Sequence, residues 1–301
     1  MELKHFLLGV GFAFIWASAF PSAKIAVQFC PPFFFLFFRF SIAGLFSIIL
    51  GFYLGQSFQF DRKSLLLIVV FGLIQNGLYL SLIFLALTRI DSNISVIIAS
   101  ILPLTVAFFS WILFKTKMSL LGFCGLVVGL SGVLLIMLQR VEREYEMFGI
   151  FLCLLGLLAT TFSTLIITKI NINKNNILIV VGLQMLVGSL FLLPLSYFFE
   201  VWSVSFSITF IFTFLYIAAF PGIIGPIIWF YLQKEIGAVK YSSFHFLVPF
   251  FGIGISYFLL GETLTFSDMA GVLIIILGLY LVNLSLIHIS EPTRPRLISY
   301  A

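Results

Sequence analysis

Residues 249–278 read PFFGIGISYFLLGETLTFSDMAGVLIIILG, two apolar runs joined by a short polar break. A shift of 146 positions lays this stretch on residues 103–132. The matched pairs are Pro103 and Pro249, Ser110 and Ser256, Leu113 and Leu259, Gly125 and Gly271, and Gly132 and Gly278. Chance matching is the alternative in a sequence of low diversity, but one register that aligns five landmarks across two runs indicates an internal duplication.

The composition of the whole chain indicates a membrane protein. Of the 301 residues, 62% are hydrophobic and 9% are charged, and the mean hydropathy is +1.23. A soluble domain carries charges on about a quarter of its residues. The apolar runs are about 20 residues long, which is the length a helix needs to cross the bilayer core. They are apolar on all sides rather than alternating, which predicts helices and argues against a barrel.

Polar breaks divide the chain into ten candidate membrane spans. They are 6–27, 32–54, 64–87, 92–114, 118–138, 148–168, 176–198, 206–232, 238–260 and 266–283. The first run continues without a clear cleavage site, so we interpret it as a transmembrane helix rather than a signal peptide.

The most charged stretch, residues 140–146, separates the spans into two sets of five. An odd number of spans in each set requires the two copies to insert in opposite directions, as in many secondary transporters. We therefore predict an all-α polytopic membrane protein. Its ten transmembrane helices form two inverted five-helix repeats, residues 1–143 and 144–283, around a central cavity.

The Lys and Arg residues lie singly at the ends of the apolar runs. If the N-terminus is cytoplasmic, the inner side holds Lys4, Arg62, Lys63, Lys115, Lys117, Lys169, Lys174, Lys234 and Lys240. The outer side then holds Arg89, Arg140 and Arg143. Because basic loops stay inside, this imbalance predicts that both termini are cytoplasmic. The net charge is +5, but the basic residues are scattered and do not form a phosphate-binding patch, so nucleic acid is not an expected partner.

Three ionisable side chains, Lys24, Arg39 and His245, lie within the spans. Lys24 shares a helical face with Trp16 and Phe20, which predicts a cationic anchor for a substrate carboxylate, with snorkelling to the outer interface as the alternative. For Arg39 we predict a structural role, tying together carbonyls freed at helix breaks. His245 lies one turn before Pro249 and is either a neutral histidine held by a neighbouring helix or a group that binds substrate or carries protons.

Other polar side chains can serve binding or helix packing. Gln75, Asn76 and Tyr79 lie in span three, and Thr160 and Thr164 lie close to one face of span six. Amides and hydroxyls of this kind bind the polar groups of an amino acid, or they join transmembrane helices to one another. Trp229 is in turn either an aromatic wall of the site or part of the interfacial aromatic belt.

Four prolines mark expected bends. Pro221 and Pro226 lie with two glycines inside seven residues, which cannot keep a regular hydrogen-bond ladder, so we predict a hinge there. Pro103 and Pro249 occupy matching positions in spans four and nine, and we predict that they bend both spans and shape the cavity.

Several of these motifs together resemble the ten-helix EamA-type members of the drug/metabolite transporter superfamily. The residues that carry the resemblance are Trp16-Ala17-Ser18-Ala19-Phe20 with Lys24, Arg39-Phe40, Pro103, and Pro249 through Leu260-Gly261-Glu262-Thr263-Leu264-Thr265 to Gly271 and Gly278. The resemblance extends to about residue 283. Lys115-Thr116-Lys117 in the first repeat departs from the pattern of Gly261-Glu262-Thr263, and Pro21 interrupts the first motif.

The resemblance implies a basket of two inverted five-helix bundles. Helices one, three, four, six, eight and nine are then expected to line a central cavity. Such proteins commonly export amino acids or related metabolites. A small-molecule substrate and membrane lipids are thus the expected partners.

The sequence shows no phosphate loop, no HExxH, no GxSxG and no pair of embedded carboxylates, so no enzyme activity is predicted. Cys30, Cys124 and Cys153 have no metal-binding spacing, and no cofactor or metal is expected. The leading hypothesis is a bacterial inner-membrane transporter, monomer or homodimer, that exports an amino acid or similar metabolite by alternating access. A multidrug or aromatic-compound exporter is the alternative within transport, and a membrane-assembly or lipid-handling protein is the alternative outside it.

The C-terminal residues 284–301 resemble the conceptual translation of a sequencing adapter, beginning with LSLIHISEPTR. We interpret them as non-native and leave them out of the functional argument. A genuine basic cytoplasmic tail is the alternative.

Overall fold

The computed structural model describes residues 3–114, 120–138, 144–167, 169–170, 172–173, 175–261 and 265–290. Throughout these ranges the regular secondary structure is helical, with no strand. The helices are α1 Leu3–Ala26, α2 Pro32–Tyr53, α3 Arg62–Gly72, α4 Leu80–Leu87, α5 Ser92–Ala99, α6 Leu102–Phe114, α7 Leu120–Leu138, α8 Glu144–Ile167, α9 Ile177–Phe199, α10 Ile208–Ile217, α11 Gly225–Ile236, α12 Ala238–Ser242, α13 Val248–Leu260 and α14 Phe266–Ser290.

Seven helical segments of the described chain are long and apolar enough to cross a membrane. They are Leu3–Ala26, Pro32–Tyr53, Arg62–Leu87, Ser92–Phe114, Met147–Ile167, Ile177–Phe199 and Ile208–Ile236. Three shorter apolar helices, Leu120–Gly132, Val248–Leu260 and Met269–Gly278, lie within predicted spans five, nine and ten. The protein is thus an all-helical, multi-pass membrane protein, whereas ten crossings and an inverted repeat stay predictions.

Two of the long spans contain a π-helical turn. One turn is Leu73–Tyr79, between α3 and α4, and the other is Ala218–Ile224, between α10 and α11. The span thus passes through Pro221 as a widened turn, and Pro226 lies in the first turn of α11. The two π-helical turns start 145 positions apart, because 218 − 73 = 145. Turns of this kind occur frequently at functional sites.

Predicted spans four and nine are each divided just before their proline. Pro103 lies in the first turn of α6, after the break that follows α5. Pro249 lies in the first turn of α13, after the 3₁₀ turn Ser243–Leu247. Proline is tolerated at these positions because the first amides of a helix have no intrahelical acceptor. The hinge roles of the four prolines stay predictions.

Two helix ends show common capping arrangements. The Asp61 side chain accepts a hydrogen bond from the Ser64 amide at the start of α3. The Ser64 side chain, and after it the backbone amides nearby, lower the pKa of the Asp61 carboxyl through hydrogen bonds. At the other end of a helix, α13 ends at Gly261, whose φ of 65° is left-handed and favours glycine.

The pair formed by α2 and α9 joins the two halves of the chain. Gly44 and Gly182 lie at its contact, where a side-chain carbon on either would press on the carbonyl of the other. Ser47 Oγ donates to the Leu178 carbonyl at 2.9 Å. At one end of the pair, the Glu200 carboxylate accepts from the Phe33 and Phe34 amides at 2.8 and 2.7 Å, which caps the start of α2.

A second such pair, α7 and α14, packs even more closely through glycine. A carbon added to Gly278 would lie against the backbone of Gly125 and Gly129, and one added to Gly132 against the Gly271 carbonyl. Small residues let transmembrane helices approach at backbone distance. The part of the expected non-native tail that is described, residues 284–290, continues α14, and the remainder lies outside the described residues.

We expect Gly278→Ala to lower the melting temperature of the protein in detergent by several degrees. The new methyl group meets backbone atoms, which cannot rotate away, and such overpacking costs about 1–3 kcal/mol. Gly11→Ala in α1 is the matched control, because nothing lies within 4 Å of the added carbon. That control is expected to melt at or above the wild-type temperature, and equal melting of both variants would contradict the close α7/α14 contact.

Candidate functional site

A cavity of about 60 Å³ lies at the centre of the bundle, between the two π-helical turns. Its walls come from α1, α2, α4, α9, α10 and α11 together with both turns. A volume of this size holds a few water molecules. Nine of the candidate binding, structural or hinge residues lie in this wall, namely Trp16, Phe20, Arg39, Gln75, Asn76, Tyr79, Pro221, Pro226 and Trp229.

Side-chain amides form one polar wall of the cavity. Asn76 Nδ2 donates to the Gln184 carbonyl at 2.8 Å and also to Gln184 Oε1. Gln75 Oε1 accepts from Ser163 Oγ at 2.5 Å. All four residues are buried, and these bonds connect the first π-helical turn to α8 and α9. Gln184 was visible in the sequence as the counterpart of Arg39 at a shift of 145, yet its contribution to the cavity was not predicted.

Arg39 lies on α2 with 3% of its surface exposed. Its guanidinium carbon is 5.0 Å from the centre of the Phe40 ring. A methyl group on Gly222, in the second π-helical turn, would lie 3.6 Å from Nη2 and 3.8 Å from Nε. Within the described ranges no hydrogen bond and no carboxylate reaches this guanidinium, and Nε is buried without a partner. Arg39 therefore contributes an uncompensated positive charge to the cavity wall, whereas a tie to freed carbonyls was expected.

Aromatic rings form the opposite wall. The Trp16 ring lies nearly parallel to Tyr79 at 6.2 Å and perpendicular to Trp229 at 5.7 Å. Behind them, Tyr241 stacks on Trp229 at 6.0 Å. The polar atoms Trp16 Nε1, Trp229 Nε1 and Tyr241 OH are buried and find no acceptor or donor in the described part of the chain. Tyr241 did not stand out in the sequence, because a tyrosine near the start of an apolar run carries no distinctive signal.

His245 lies one layer behind the cavity rather than in its wall. Its ring centre is 5.4 Å from Trp16, 5.4 Å from Tyr241 and 5.3 Å from Phe12. The ring is fully buried, and Nε2 has no partner among the residues that the structure describes. Binding of substrate or protons by His245 stays a prediction, and any such role acts through the aromatic wall.

Thr160 and Thr164 are buried on α8 and do not line the cavity. Thr164 Oγ1 donates to the Thr160 carbonyl at 2.7 Å, and the Thr164 carbonyl accepts from Gln233 Nε2 at 3.3 Å. The Thr164 hydroxyl and the two carbonyls thus serve α8 and its contact with α11, whereas Thr160 Oγ1 is buried without a partner among the described residues.

Lys24 also lies outside the cavity wall. Its ammonium donates to the Leu87 carbonyl at 2.9 Å and to the Ile90 carbonyl at 2.8 Å. These carbonyls belong to the end of α4 and the turn after it, where acceptors are otherwise left free. Lys24 thus stabilises a helix end, and the structure does not bring its charge to the aromatic wall beside Trp16 and Phe20.

A second cavity of about 290 Å³ lies toward the ends of α8 and α11. Gln233 and Lys234 line it, and Phe230 lines both this cavity and the central one. Phe230 has 2% of its surface exposed. Its ring therefore forms the partition between the two cavities, a position that the sequence alone did not single out among 39 phenylalanines.

A family model described as the EamA-like transporter family matches the chain twice, over residues 3–138 and 147–284. An uncharacterized transporter of Bacillus subtilis, YvbV, is 27% identical over 89% of this chain and 88% of its own length. Protein PagO of Salmonella typhimurium is 24% identical over 88% of both chains. A solved protein crystal structure with 16% identity aligns with a TM-score of 0.70 over 94% of this chain and 98% of its own, which is a likeness of fold.

Replacement of Lys24 tests its placement at the end of α4. We expect Lys24→Met to lower the melting temperature in detergent, because two carbonyls lose a charged donor and each such bond contributes about 1.5–3 kcal/mol. Lys24→Arg retains donors and a charge and is expected to melt close to the wild type. A Lys24→Met protein with unchanged stability but no substrate binding would instead support the anchor role predicted from the sequence.

Proposed function

Because the chain belongs to the EamA-like transporter family, we propose that it exports a small metabolite such as an amino acid through the central cavity. The observation that carries this proposal is the mixed wall of that cavity, in which amides and a guanidinium face aromatic rings. Ligand sites combine apolar walls with a few converging polar groups in this way. The family is one of transporters, and we propose no enzyme activity.

Alternating access between two inverted five-helix repeats is the proposed mechanism. Three observations support the repeat: the two family matches, the 145-residue spacing of the π-helical turns, and the pattern of helix packing. In that pattern α2, from predicted span two, pairs with α9 from span seven, and α7, from span five, pairs with α14 from span ten. These four helices thus pack on their own counterparts, which supports a two-fold axis between the repeats.

The partition at Phe230 supports a gate on one side of the cavity. Lys4 Nζ donates to Tyr231 OH at 3.1 Å, and Lys234 Nζ donates to the Ile172 carbonyl at 3.0 Å, so basic residues gather at the Phe230 end of the bundle. Basic ends face the cytoplasm. We therefore propose a bacterial inner-membrane location with both termini inside, and the 290 Å³ cavity as the cytoplasmic vestibule.

A multidrug or aromatic-compound exporter is the second candidate. The rings of Trp16, Tyr79 and Trp229 in the wall favour it, because aromatic faces bind flat and cationic drugs. The amides and Arg39 favour a polar metabolite instead, because their donors call for acceptors on the ligand. A lipid-handling or assembly role is the least favoured, since it leaves the polar groups of the mixed cavity wall without a purpose.

Counterflow into proteoliposomes tests the proposed function. We expect vesicles preloaded with unlabelled amino acids to accumulate the labelled ones saturably, and to show no such accumulation of cationic dyes. Trp16→Ala is expected to reduce counterflow at least about tenfold, because it removes the ring that contacts both Tyr79 and Trp229. Trp111→Ala is the matched control, because Trp111 is 42% exposed on α6 and lies outside the cavity wall. Counterflow of dyes without amino acids would favour the multidrug exporter.

Labelling of the cavity tests the partition at Phe230. In a variant without the three native cysteines, Met185→Cys places a thiol in the central cavity. We expect Phe230→Ala to raise the rate at which a water-soluble maleimide labels this thiol, because the two cavities then connect. Phe212→Ala, at a position 67% exposed on α10, is expected to leave the rate unchanged. Equal rates in both variants would contradict a gate at Phe230.

A further inference from the structure

The positive charge of Arg39 lies well inside the membrane without a counter-charge. Arg39 is seven residues after the start of α2, since 39 − 32 = 7, which places its backbone about 10 Å into the helix at 1.5 Å per residue. The side chain is 3% exposed. Within the described ranges, its charge interacts with the Phe40 ring and with no charged group. A buried charge of this kind persists when a partner or a wet cavity compensates it.

The chain does not supply that partner from its spans. It has 11 acidic residues, and all of them lie near the ends of spans or in connections. Glu200 is engaged with the start of α2, and Asp61 is engaged with the start of α3. A compensating negative charge, if one binds, is therefore supplied by a molecule that enters the cavity rather than by the spans.

The rest of the polar wall is richer in donors than in acceptors. Gln75 Oε1 and Gln184 Oε1 already accept bonds from Ser163 and Asn76. The amide nitrogens of Gln75 and Gln184, like Trp16 Nε1, have no acceptor among the described residues. A ligand that fits this wall brings acceptor oxygens, and a carboxylate brings two with a negative charge.

We propose that Arg39, together with the side-chain amides of Gln75 and Gln184, forms a binding site for a carboxylate. The inference rests on the proposed transport function and adds a substrate class, a monocarboxylate. One guanidinium balances one negative charge, whereas a dicarboxylate or a phosphate dianion leaves an excess charge in the same cavity. A cationic drug is disfavoured, because it meets a like charge in the wall.

The position of this site also couples binding to the two halves of the chain. Arg39 belongs to α2, and its guanidinium lies beside the second π-helical turn, where a side-chain carbon added to Gly222 would be 3.6 Å from Nη2. Gln75 lies in the first π-helical turn, and Gln184 lies on α9. A carboxylate held by these side chains bridges the elements whose relative movement alternating access requires.

Thermal stabilisation by simple probes tests the site directly. In detergent we expect acetate and propionate to raise the melting temperature of the wild-type protein, and acetamide and propionamide at equal concentration to leave it unchanged. Phenylalanine and phenylalaninamide extend the comparison to an amino acid with and without its carboxylate. No difference between acids and amides in the wild type would overturn the proposal.

Substitution of Arg39 identifies the group responsible. We expect Arg39→Gln to weaken propionate binding at least about 30-fold and to abolish the preference for acid over amide. Arg39→Lys keeps the positive charge but not the planar guanidinium, and we expect it to lose less affinity for propionate than Arg39→Gln. Arg89→Gln is the matched control, because Arg89 lies against Phe148 and outside the cavity wall. Wild-type affinity in Arg39→Gln would overturn the site.

Chemical modification keeps the test decisive if Arg39→Gln does not fold. In the wild type we expect propionate, and not propionamide, to slow the modification of Arg39 by phenylglyoxal, read by mass spectrometry. Equal rates with both probes would overturn the proposal.

Counterflow distinguishes a failure of the proposed carboxylate site from a failure of the proposed transport function. Transport of a metabolite without a carboxylate, unaffected by Arg39→Gln, would reject the site and retain the transporter. Carboxylate binding without any counterflow would support the site and reject the proposed function.

Discussion

The absence of water from the hydrocarbon core is the constraint on which the rest of this structure depends. Each polar group inside the bundle needs a partner from the chain or from a cavity. Most backbone groups of the described helices form hydrogen bonds within their own helix, and groups at helix ends bond to side chains of neighbouring elements. The Glu200 carboxylate accepts hydrogen bonds from free amides at the start of α2, and the Lys24 ammonium donates to free carbonyls at the end of α4 and in the turn after it. Against this background the guanidinium of Arg39, whose Nε has no partner among the described residues, is the exception on which the proposed carboxylate site rests.

Close packing within helix pairs and a cavity between elements are two parts of one arrangement. Helix pairs α2/α9 and α7/α14 meet at glycines, which brings their backbones together and holds the halves of the chain. Between those pairs, the two π-helical turns widen their spans and direct side chains inward. The cavity forms between these turns, so the same two elements provide part of its polar and apolar wall.

Much of the site was predictable from the sequence, and the remainder depended on rotation about helix axes. Trp16, Gln75, Asn76, Tyr79 and Trp229 were expected in a cavity and do lie in its wall. Polar atoms inside apolar runs are rare, so their presence is informative by itself. The helices are apolar on nearly all sides, however, and the pattern does not show which side faces the centre. Candidates that the structure leaves outside the cavity wall are Lys24, Thr160, Thr164 and His245.

The sequence by itself determined that this protein lies in a membrane, that it is helical and to which family it belongs, because hydropathy, run length and motif spacing are properties of the chain. It also located the prolines and the internal similarity. Only the tertiary structure decided the partners of each charge. In the sequence, Lys24 and Arg39 are both cations inside a predicted span. In the structure, Lys24 donates to two carbonyls, whereas Arg39 lines a cavity. That difference arises from which helix ends and turns meet in space, and no pattern within a single span records it.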